Sequence, residues 1–257
     1  MSVRLQSLLS SLGVDSRRHC ASLVAGGAVR VNGEIVREPG FRVERPETDV
    51  VEVNGRRVSP VPPRARRTIL LNKPRGVLCT REEGRGTTVY DLLRGVPERV
   101  VSAGRLDRDS AGLLVLSDDG ALVNRLTHPR FGHEKRYEVV AAGAFGQATL
   151  DALQGPMELD GYRLRPVRVE YLRRLADGPA GPRHRLLFVL REGRNRQIRA
   201  MCEAVGLRVE TLVRVAINGL RLPSDLRAGA WRDLSPRERD LLERVPAAPL
   251  RPWAPGE

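Results

Sequence analysis

Apolar positions in the first sixty residues follow helical spacing. Over 3–12 they recur at intervals of three and four residues, which predicts a helix that Gly13 ends. A second helix follows, because Ser16 suits an N-cap and the glycines at 26–27 suit a helix end.

A strand pattern replaces the helical pattern after the two glycines. AVRVNGEIV at 28–36 alternates apolar and polar residues, and its central Asn32-Gly33 favours a two-residue hairpin turn. VVEV at 50–53 predicts a further strand. These elements predict a small N-terminal module over residues 1–60.

The segment GRRVSPVPPRARR, from residue 55 onward, has no apolar periodicity. Its prolines favour an extended chain and its arginines suit a phosphate backbone, although a merely solvated connector fits equally well. We place an interdomain linker at 61–67. The Pro- and Ala-rich residues 246–257 predict a disordered tail.

Between the linker and the tail, strand-like and helical patterns mix irregularly. The pattern predicts helices at 119–126, 146–154 and 195–205, and strands at 68–72, 76–80, 100–104, 112–117, 135–143, 166–174 and 183–192. The prediction is an α+β core over 68–245, in which helices flank a mainly antiparallel mixed sheet.

The formal net charge of +13 favours a polyanionic partner, above all a nucleic acid. A membrane surface would attract the same charge, but no apolar run approaches the roughly 20 residues that span a bilayer. The N-terminus also lacks the apolar stretch of a signal peptide. We therefore expect a cytoplasmic protein without a membrane partner.

Cysteine and histidine spacing predicts no disulfide and no metal site, and no glycine-rich loop indicates a dinucleotide or ATP site. Nearly all basic residues are arginines, and the only lysines are Lys73 and Lys135. Either chance kept them, or each stands where a compact ammonium fits and a guanidinium does not.

GRLDRDSAGLLVLSDDG at 104–120 is the most specific chemical signal. Asp107 lies between Arg105 and Arg108, whose charges favour the ionised carboxylate that a nucleophile requires. The segment's other acids suit turns or helix caps: Asp109, Asp118 and Asp119. Further along, the arginines of RNRQIR at 194–199 suit phosphate contact at a helix start.

This segment resembles the signature of the RsuA/RluB family of ribosomal-RNA pseudouridine synthases. Four further segments resemble motifs of the same family in the same order: LNKPRGVLCT at 71–80, KRYEV at 135–139, EGRNRQIRAMCEAVG at 192–206 and TLVRVAI at 211–217. Residues 4–33 are similar to an S4 RNA-binding domain. The resemblance implies an S4-like module of two helices plus strands, followed by a pseudouridine synthase core.

The family's chemistry is carried over residue by residue. Asp107 would attack an extruded uridine while its N1-glycosidic bond breaks and the base is reattached through C5. Tyr137 would stack on the base and assist removal of the C5 proton, although by itself it is an ordinary strand aromatic. Arg199 would pair with Asp107. Such an isomerisation implies no cofactor and no metal.

We expect RNA contacts in both predicted domains. The predicted RNA-binding residues are Ser16, Arg17, Arg18, Asn32, Lys73, Arg105, Lys135, Arg194, Asn195 and Arg196. Lys73, Arg105 and Lys135 would border the uridine pocket. Asp15, where a small residue is expected, weakens the predicted phosphate contact at the second helix.

The resemblance favours large-subunit (23S) ribosomal RNA as the partner, because LCT at 78–80 and His128-Pro129 look like the large-subunit members. Small-subunit (16S) RNA is the alternative target. A non-catalytic RNA-binding factor in ribosome assembly, or a base-excising glycosidase, would fit part of the pattern. No long apolar surface stripe is visible, so we expect a monomer.

Overall fold

The structure is a computed structural model that describes residues 2–38, 40–58, 66–82, 84, 86–179 and 181–245. The chain divides into two compact units, 1–65 and 66–257. Residues 61–65 of the predicted linker and the predicted tail at 246–257 lie outside the described residues. None of the helices in the described ranges has the length and apolar character that crossing a bilayer requires.

Arg67, placed in the linker by the sequence pattern, packs within the larger unit. Its guanidinium pairs with Glu98 at 2.8 Å and with Asp233 at 2.7 Å. Its backbone N–H donates to the Asp118 carboxylate at 2.8 Å. The end of the predicted linker is therefore part of the folded core.

The smaller unit has the predicted order of two helices and a sheet. Its elements are β1 (Val3–Arg4), α1 (Leu5–Ser11), α2 (Arg17–Ala25), β2 (Val29–Val31), β3 (Glu34–Val36), β4 (Arg42–Val43), β5 (Val51–Val53) and β6 (Arg56–Val58). The predicted turn at Asn32-Gly33 has φ angles of 52° and 86°, and the Ser16 hydroxyl caps α2 by accepting the His19 N–H at 3.1 Å.

Strand β6 lies in the stretch from residue 55 that showed no apolar periodicity. It pairs antiparallel with β5 through a turn at Asn54-Gly55, whose φ angles of 51° and 72° are left-handed. The signal was the Asn-Gly dipeptide that also marks the first hairpin. The arginines at 56–57 concealed it, because both are exposed in a strand too short to alternate visibly.

The larger unit is a mixed sheet with helices. Its elements are β7 (Thr68–Lys73), β8 (Val101–Ser102), β9 (Ala111–Ser117), α3 (Gly120–Thr127), β10 (Lys135–Ala142), α4 (Gln147–Gln154), β11 (Glu158–Leu159), β12 (Tyr162–Arg163), β13 (Arg168–Gly178), β14 (Gly181–Leu190), α5 (Gln197–Ala204), β15 (Arg208–Ile217), β16 (Leu220–Arg221), β17 (Trp231–Asp233) and α6 (Pro236–Glu243).

Across the described residues the main sheet has the order β13-β14-β10-β15-β9-β7-β17, with β16 on β15 and β8 on β9. Strands β9 and β15 run parallel, and the other neighbouring pairs run antiparallel. This confirms the predicted α+β class. Helices α4 and α5 cover the face of β10, β14 and β15 that carries Val139, Phe188 and Leu212.

Some local features differ from the sequence prediction. Residues 76–80 form no strand and make one isolated bridge, between Leu78 and Thr88. Strand β15, which the sequence singled out only as a motif, is central to the sheet. Helix α6 was missed although Ser235 and Glu238 form a capping box around it.

Candidate active site

Asp107 lies on a turn between β8 and β9 that is bonded to the chain just after β7. Its carbonyl accepts the Ser110 N–H at 3.1 Å, and the Arg108 carbonyl accepts the Gly76 N–H at 2.7 Å. The Asp107 side chain stays one-third exposed, with Arg196 Nη1 4.0 Å from its Oδ2. The fixed backbone thus presents an accessible carboxylate.

Lys73 is the anchor of this turn. Its side chain is fully buried, and its ammonium donates to the carbonyls of Pro74, Asp107 and Ser110 at 3.0, 3.0 and 2.7 Å. Burial lowers the pKa of Lys73. The predicted RNA contact by Lys73 therefore needs correction, since all three of its N–H groups are engaged by carbonyls of the protein.

Arg199 pairs with Asp109 and not, as predicted, with Asp107. Its Nη2 lies 3.2 Å from Asp109 Oδ2, and Arg196 Nη1 lies 3.2 Å from Asp109 Oδ1. Partial burial acts to raise the pKa of Asp109, but the hydrogen bond from Arg196 and the charge of Arg199 lower it overall. Asp109, interpreted from sequence as a turn residue, is thus the carboxylate that holds both arginines.

Tyr137 belongs to a row of paired residues that crosses the sheet at the level of this turn. It lies opposite Arg214 on β15, Arg214 lies opposite Gly112 on β9, and Gly112 lies opposite Lys73 on β7. Directly paired residues project from the same face. Tyr137 therefore shares the sheet face of Lys73, two strand spacings of about 4.8 Å each from Gly112.

A β-bulge adjusts this row. Between Arg136 and Tyr137 the pairing with β15 shifts by one residue, so that Val215 has no partner position on β10. Bulges redirect side chains, and they occur often beside active sites. The bulge brings Arg214 opposite Tyr137 on the face that α5 covers.

Comparisons with protein-family models, with known proteins and with solved structures agree on the family of this chain. The model of the RNA pseudouridylate synthase family matches residues 67–204, and the model of the S4 domain matches residues 3–51. This chain is a member of the RNA pseudouridylate synthase family. The resemblance drawn from its motifs is thereby confirmed, and the protein is a pseudouridine synthase.

Its relatives cover nearly the whole chain. An uncharacterized RNA pseudouridine synthase of Aquifex aeolicus is 38% identical over 93% of this chain and 92% of its own length. The ribosomal large subunit pseudouridine synthase B of Bacillus subtilis is 35% identical over 91% and 93%. A crystal structure of a pseudouridylate synthase aligns over 93% of this chain and 99% of its own, with a TM-score of 0.65 and 26% identity.

The second lysine of the synthase is also largely enclosed. Lys135 Nζ donates to the His133 carbonyl at 3.3 Å. Burial lowers the pKa of Lys135 to about 8, with a contribution from the charge of Arg214 and an opposing one from Glu192. Its place two residues before Tyr137 on β10 keeps it at the predicted border of the pocket.

The arginines before α5 are exposed, which fits an RNA contact. Arg194 stacks 3.7 Å from the Tyr162 ring centre, and Arg196 adopts a left-handed backbone with φ 50°. Asn195 is exposed between them, and Arg105 is exposed on the Asp107 turn. The helix itself begins at Gln197, two residues later than predicted.

The S4 domain positions its predicted RNA contacts in two ways. Arg17 and Arg18 are exposed at the start of α2. Asn32 is also exposed, but its amide donates to Asp49 at 3.1 Å and accepts the Val50 N–H at 2.9 Å. Both ends of the Asn32 side chain are thus engaged within the domain, which gives this residue a structural role in the hairpin.

Asp15 stands directly before α2. Its carboxylate accepts the Ser16 N–H and lies 3.8 Å from His19 Nε2. It therefore occupies one of the donors that a phosphate would use, as its charge led us to expect.

Sequence reasoning did not single out Arg214 or Ser110. Arg214 is 2% exposed and Ser110 is 1% exposed, and both lie beside the Asp107 turn. An arginine within the apolar strand pattern TLVRVAI was the available signal, because arginine is rarely buried without a partner. The described residues hold no cluster of three or more side chains suited to a metal ion.

Proposed function

We propose that the enzyme converts a uridine of ribosomal RNA, in the large subunit by preference, to pseudouridine with Asp107 as nucleophile. The large-subunit assignment follows the name of the Bacillus subtilis relative, and the cytoplasm is where such a substrate is made in bacteria. The observation that supports Asp107 as the nucleophile is the contrast between its backbone and its side chain. Its backbone is anchored by a buried lysine, and its carboxylate is accessible.

The reaction requires the uridine to leave its stack. Extrusion costs a few kcal/mol and is least costly in loops or distorted helices, so a folded ribosomal stem-loop is the expected substrate. Arg105, Arg194 and Arg196 are exposed around the turn and suit the flanking phosphates.

In the proposed chemistry an Asp107 carboxylate oxygen bonds to C1′ as the C1′–N1 bond breaks, and the electron pair of that bond moves onto the pyrimidine. The freed base turns, C5 bonds to C1′ as the bond between C1′ and Asp107 breaks and restores the carboxylate, the C5 proton is lost, and N1 gains a proton. Atoms balance without a co-reactant. Tyr137, on the same sheet face, stacks on the base and assists loss of the C5 proton.

Arg199 receives a different role from the one the resemblance implied. Because it pairs with Asp109, it holds the far end of the Asp107 turn and leaves the nucleophile free to reach the ribose. Its Nη2 also donates to the Asp109 carbonyl at 3.2 Å. The Asp109–Arg196–Arg199 cluster thus keeps α5 against the turn.

The decisive experiment compares wild type with Asp107→Asn. Pseudouridine formation should be abolished while RNA affinity stays within about tenfold, or ~1.4 kcal/mol, since the exchange removes a single negative charge and leaves the basic surface intact. Asp177→Asn, at the exposed end of β13, is the matched control and should retain wild-type activity.

Mapping pseudouridines in both ribosomal RNAs of a deletion strain assigns the substrate. A site that disappears from small-subunit RNA would replace our large-subunit assignment. Full modification by Asp107→Asn would overturn the nucleophile, absence of modification by wild type would favour a non-catalytic assembly factor, and release of free uracil would favour a glycosidase.

A further inference from the structure

Arg214 is a buried cation that the mechanism above does not use. It lies in the middle of β15 with 2% of its surface exposed. Its Nε donates to the Leu113 carbonyl at 2.7 Å, whereas its Nη2 is buried and has no partner among the described residues. An enclosed guanidinium with an unused donor costs stability unless something else compensates for it.

Strand pairing makes Arg214 a neighbour of the proposed site residues. It is the member of the cross-strand row between Tyr137 and Gly112. Its charge reaches both enclosed lysines, because it contributes to the lowered pKa values of Lys73 and Lys135, for which burial is the main cause. Arg214 thus lies among the residues that frame Asp107 and Tyr137.

Gly112 allows β9 and β15 to pack closely at Arg214. It has φ 103°, and a Cβ atom there would lie 2.3 Å from the Arg214 carbonyl oxygen. No residue with a side chain fits at that position. The glycine therefore lets the backbone of β9, directly after the Asp107 turn, lie close against the backbone of Arg214 in β15.

The other enclosed cations are already engaged. All three N–H groups of Lys73 bind carbonyls, Lys135 donates to His133, and the terminal nitrogens of Arg199 contact Asp109 and the Val209 carbonyl. Arg199 Nε is buried without a partner, but it is not a terminal donor of the fork. Among these four, Arg214 is the one with a terminal nitrogen that is buried and has no hydrogen-bond partner among the described residues.

We propose that Arg214 is a further catalytic residue, whose Nη2 donates a hydrogen bond to a carbonyl oxygen of the extruded pyrimidine. The inference rests on the proposed function. When C1′–N1 breaks, the electron pair spreads from N1 to O2 and O4, and the buried guanidinium stabilises that charge as it forms. A donor fixed in a water-poor site needs no reorganisation at that moment, which makes it effective.

The test uses Arg214→Met and Arg214→Lys, with Arg208→Met as the control. Arg208 lies on the same strand with its side chain 68% exposed, so it undergoes the same chemical change outside the site. Removal of one such donor typically lowers kcat by about 10²–10³-fold, and we expect that reduction in Arg214→Met with RNA affinity within about threefold. Arg208→Met should turn over like wild type.

An atom exchange in the substrate distinguishes a direct hydrogen bond between Arg214 and the base from an indirect, structural role of Arg214. Target RNAs carrying 2-thio- or 4-thiouridine replace one carbonyl oxygen with sulfur, a weaker acceptor. If Nη2 contacts that oxygen, the exchange slows wild type more than Arg214→Met, and the two changes are non-additive at one position. Strict additivity at both positions would show that Arg214 acts only through the fold.

Each remaining outcome decides the proposal. If wild type forms no pseudouridine, the proposed function fails and the inference fails with it. If wild type is active and Arg214→Met stays within threefold of it, the inference alone fails. Thermal unfolding is measured first; if Arg214→Met does not fold, Arg214→Lys provides the same measurements, and failure of both to fold would make Arg214 structural and reject the proposal.

Discussion

The Asp107 turn and the start of α2 both offer cations to RNA, but they are constructed in opposite ways. At the turn, a fully buried lysine and two arginines bound to Asp109 fix the backbone to within hydrogen-bond tolerances. At α2, Arg17 and Arg18 extend into solvent from a capped helix end. Chemistry requires a fixed geometry, whereas attraction of a polyanion requires only charge.

The largest effect on stability and activity is expected from Lys73→Met, which removes the anchor of the Asp107 turn. Three buried carbonyls would be left without their donor, so we expect the unfolding free energy to fall by about 3–4 kcal/mol. Pseudouridine formation should fall at least about 10²-fold even at temperatures where the variant is folded, because misplacement of the reacting groups by about 1 Å costs that much. Urea unfolding and single-turnover assays measure both effects.

Lys73→Arg is the matched variant. It keeps the charge but exchanges the compact ammonium for a fork that does not fit three carbonyls around one nitrogen, so it should also be impaired. Wild-type stability and turnover in Lys73→Arg would show that charge alone suffices and that the anchor is not geometric.

This anchor also shows what a sequence can and cannot reveal. The scarcity of lysine marked Lys73 and Lys135 as special, and the Asn32-Gly33 turn, the Ser16 cap and the class of the sheet were predicted from local pattern. Each of those signals depends on neighbouring residues or on a single alternation. The anchoring function of Lys73 cannot be recognised from neighbouring residues, because its three acceptor carbonyls come from two separate turns.

The partner of Arg199 was beyond sequence reasoning for the same reason. Asp107 and Asp109 are two residues apart, and either could meet a guanidinium from α5. The choice depends on where the turn at 107–110 places its carboxylates and where α5 places Arg199. Arg214 became visible as a site residue only when β15 was seen between β9 and β10.

A pH experiment sharpens the contrast between enclosed and exposed cations. Burial lowers the pKa of Lys135 from 10.5 to about 8, so between these values the unfolded chain binds more protons than the folded one. The unfolding free energy of wild type relative to Lys135→Met should therefore rise with pH in that window, by on the order of 3 kcal/mol. The penalty is fully present below about pH 8 and is relieved as the pH approaches 10.5.

Urea unfolding of both proteins across the window measures the slope. The control is Arg18→Met at the exposed start of α2, which should show no pH-dependent difference because arginine stays protonated throughout. A flat difference for Lys135→Met would mean that Lys135 is as solvated as the α2 arginines.

A smaller effect is expected from Asp109→Asn, which releases the two arginines held at the turn. Arg196 already lies 4.0 Å from Asp107, so without the Asp109 charge the guanidiniums should pair with the nucleophile. We expect single-turnover pseudouridine formation to slow about tenfold, or ~1.4 kcal/mol, with RNA affinity unchanged. Asp177→Asn is the control, and equal rates for the two variants would leave Asp109 without a part in positioning.

The smallest effect should come from the solvated side of the comparison, in Arg17→Ala/Arg18→Ala. RNA affinity should fall about fivefold, or ~1 kcal/mol, while kcat at saturating RNA stays at the wild-type value. The slope of log affinity against log salt should decrease by about one for each phosphate that the protein no longer binds. Arg56→Ala/Arg57→Ala removes the same charge from exposed positions of β6. An equal decrease in affinity there would mean that the S4 domain attracts RNA by net charge, whereas a decrease confined to the α2 pair would locate the RNA contact at the helix start.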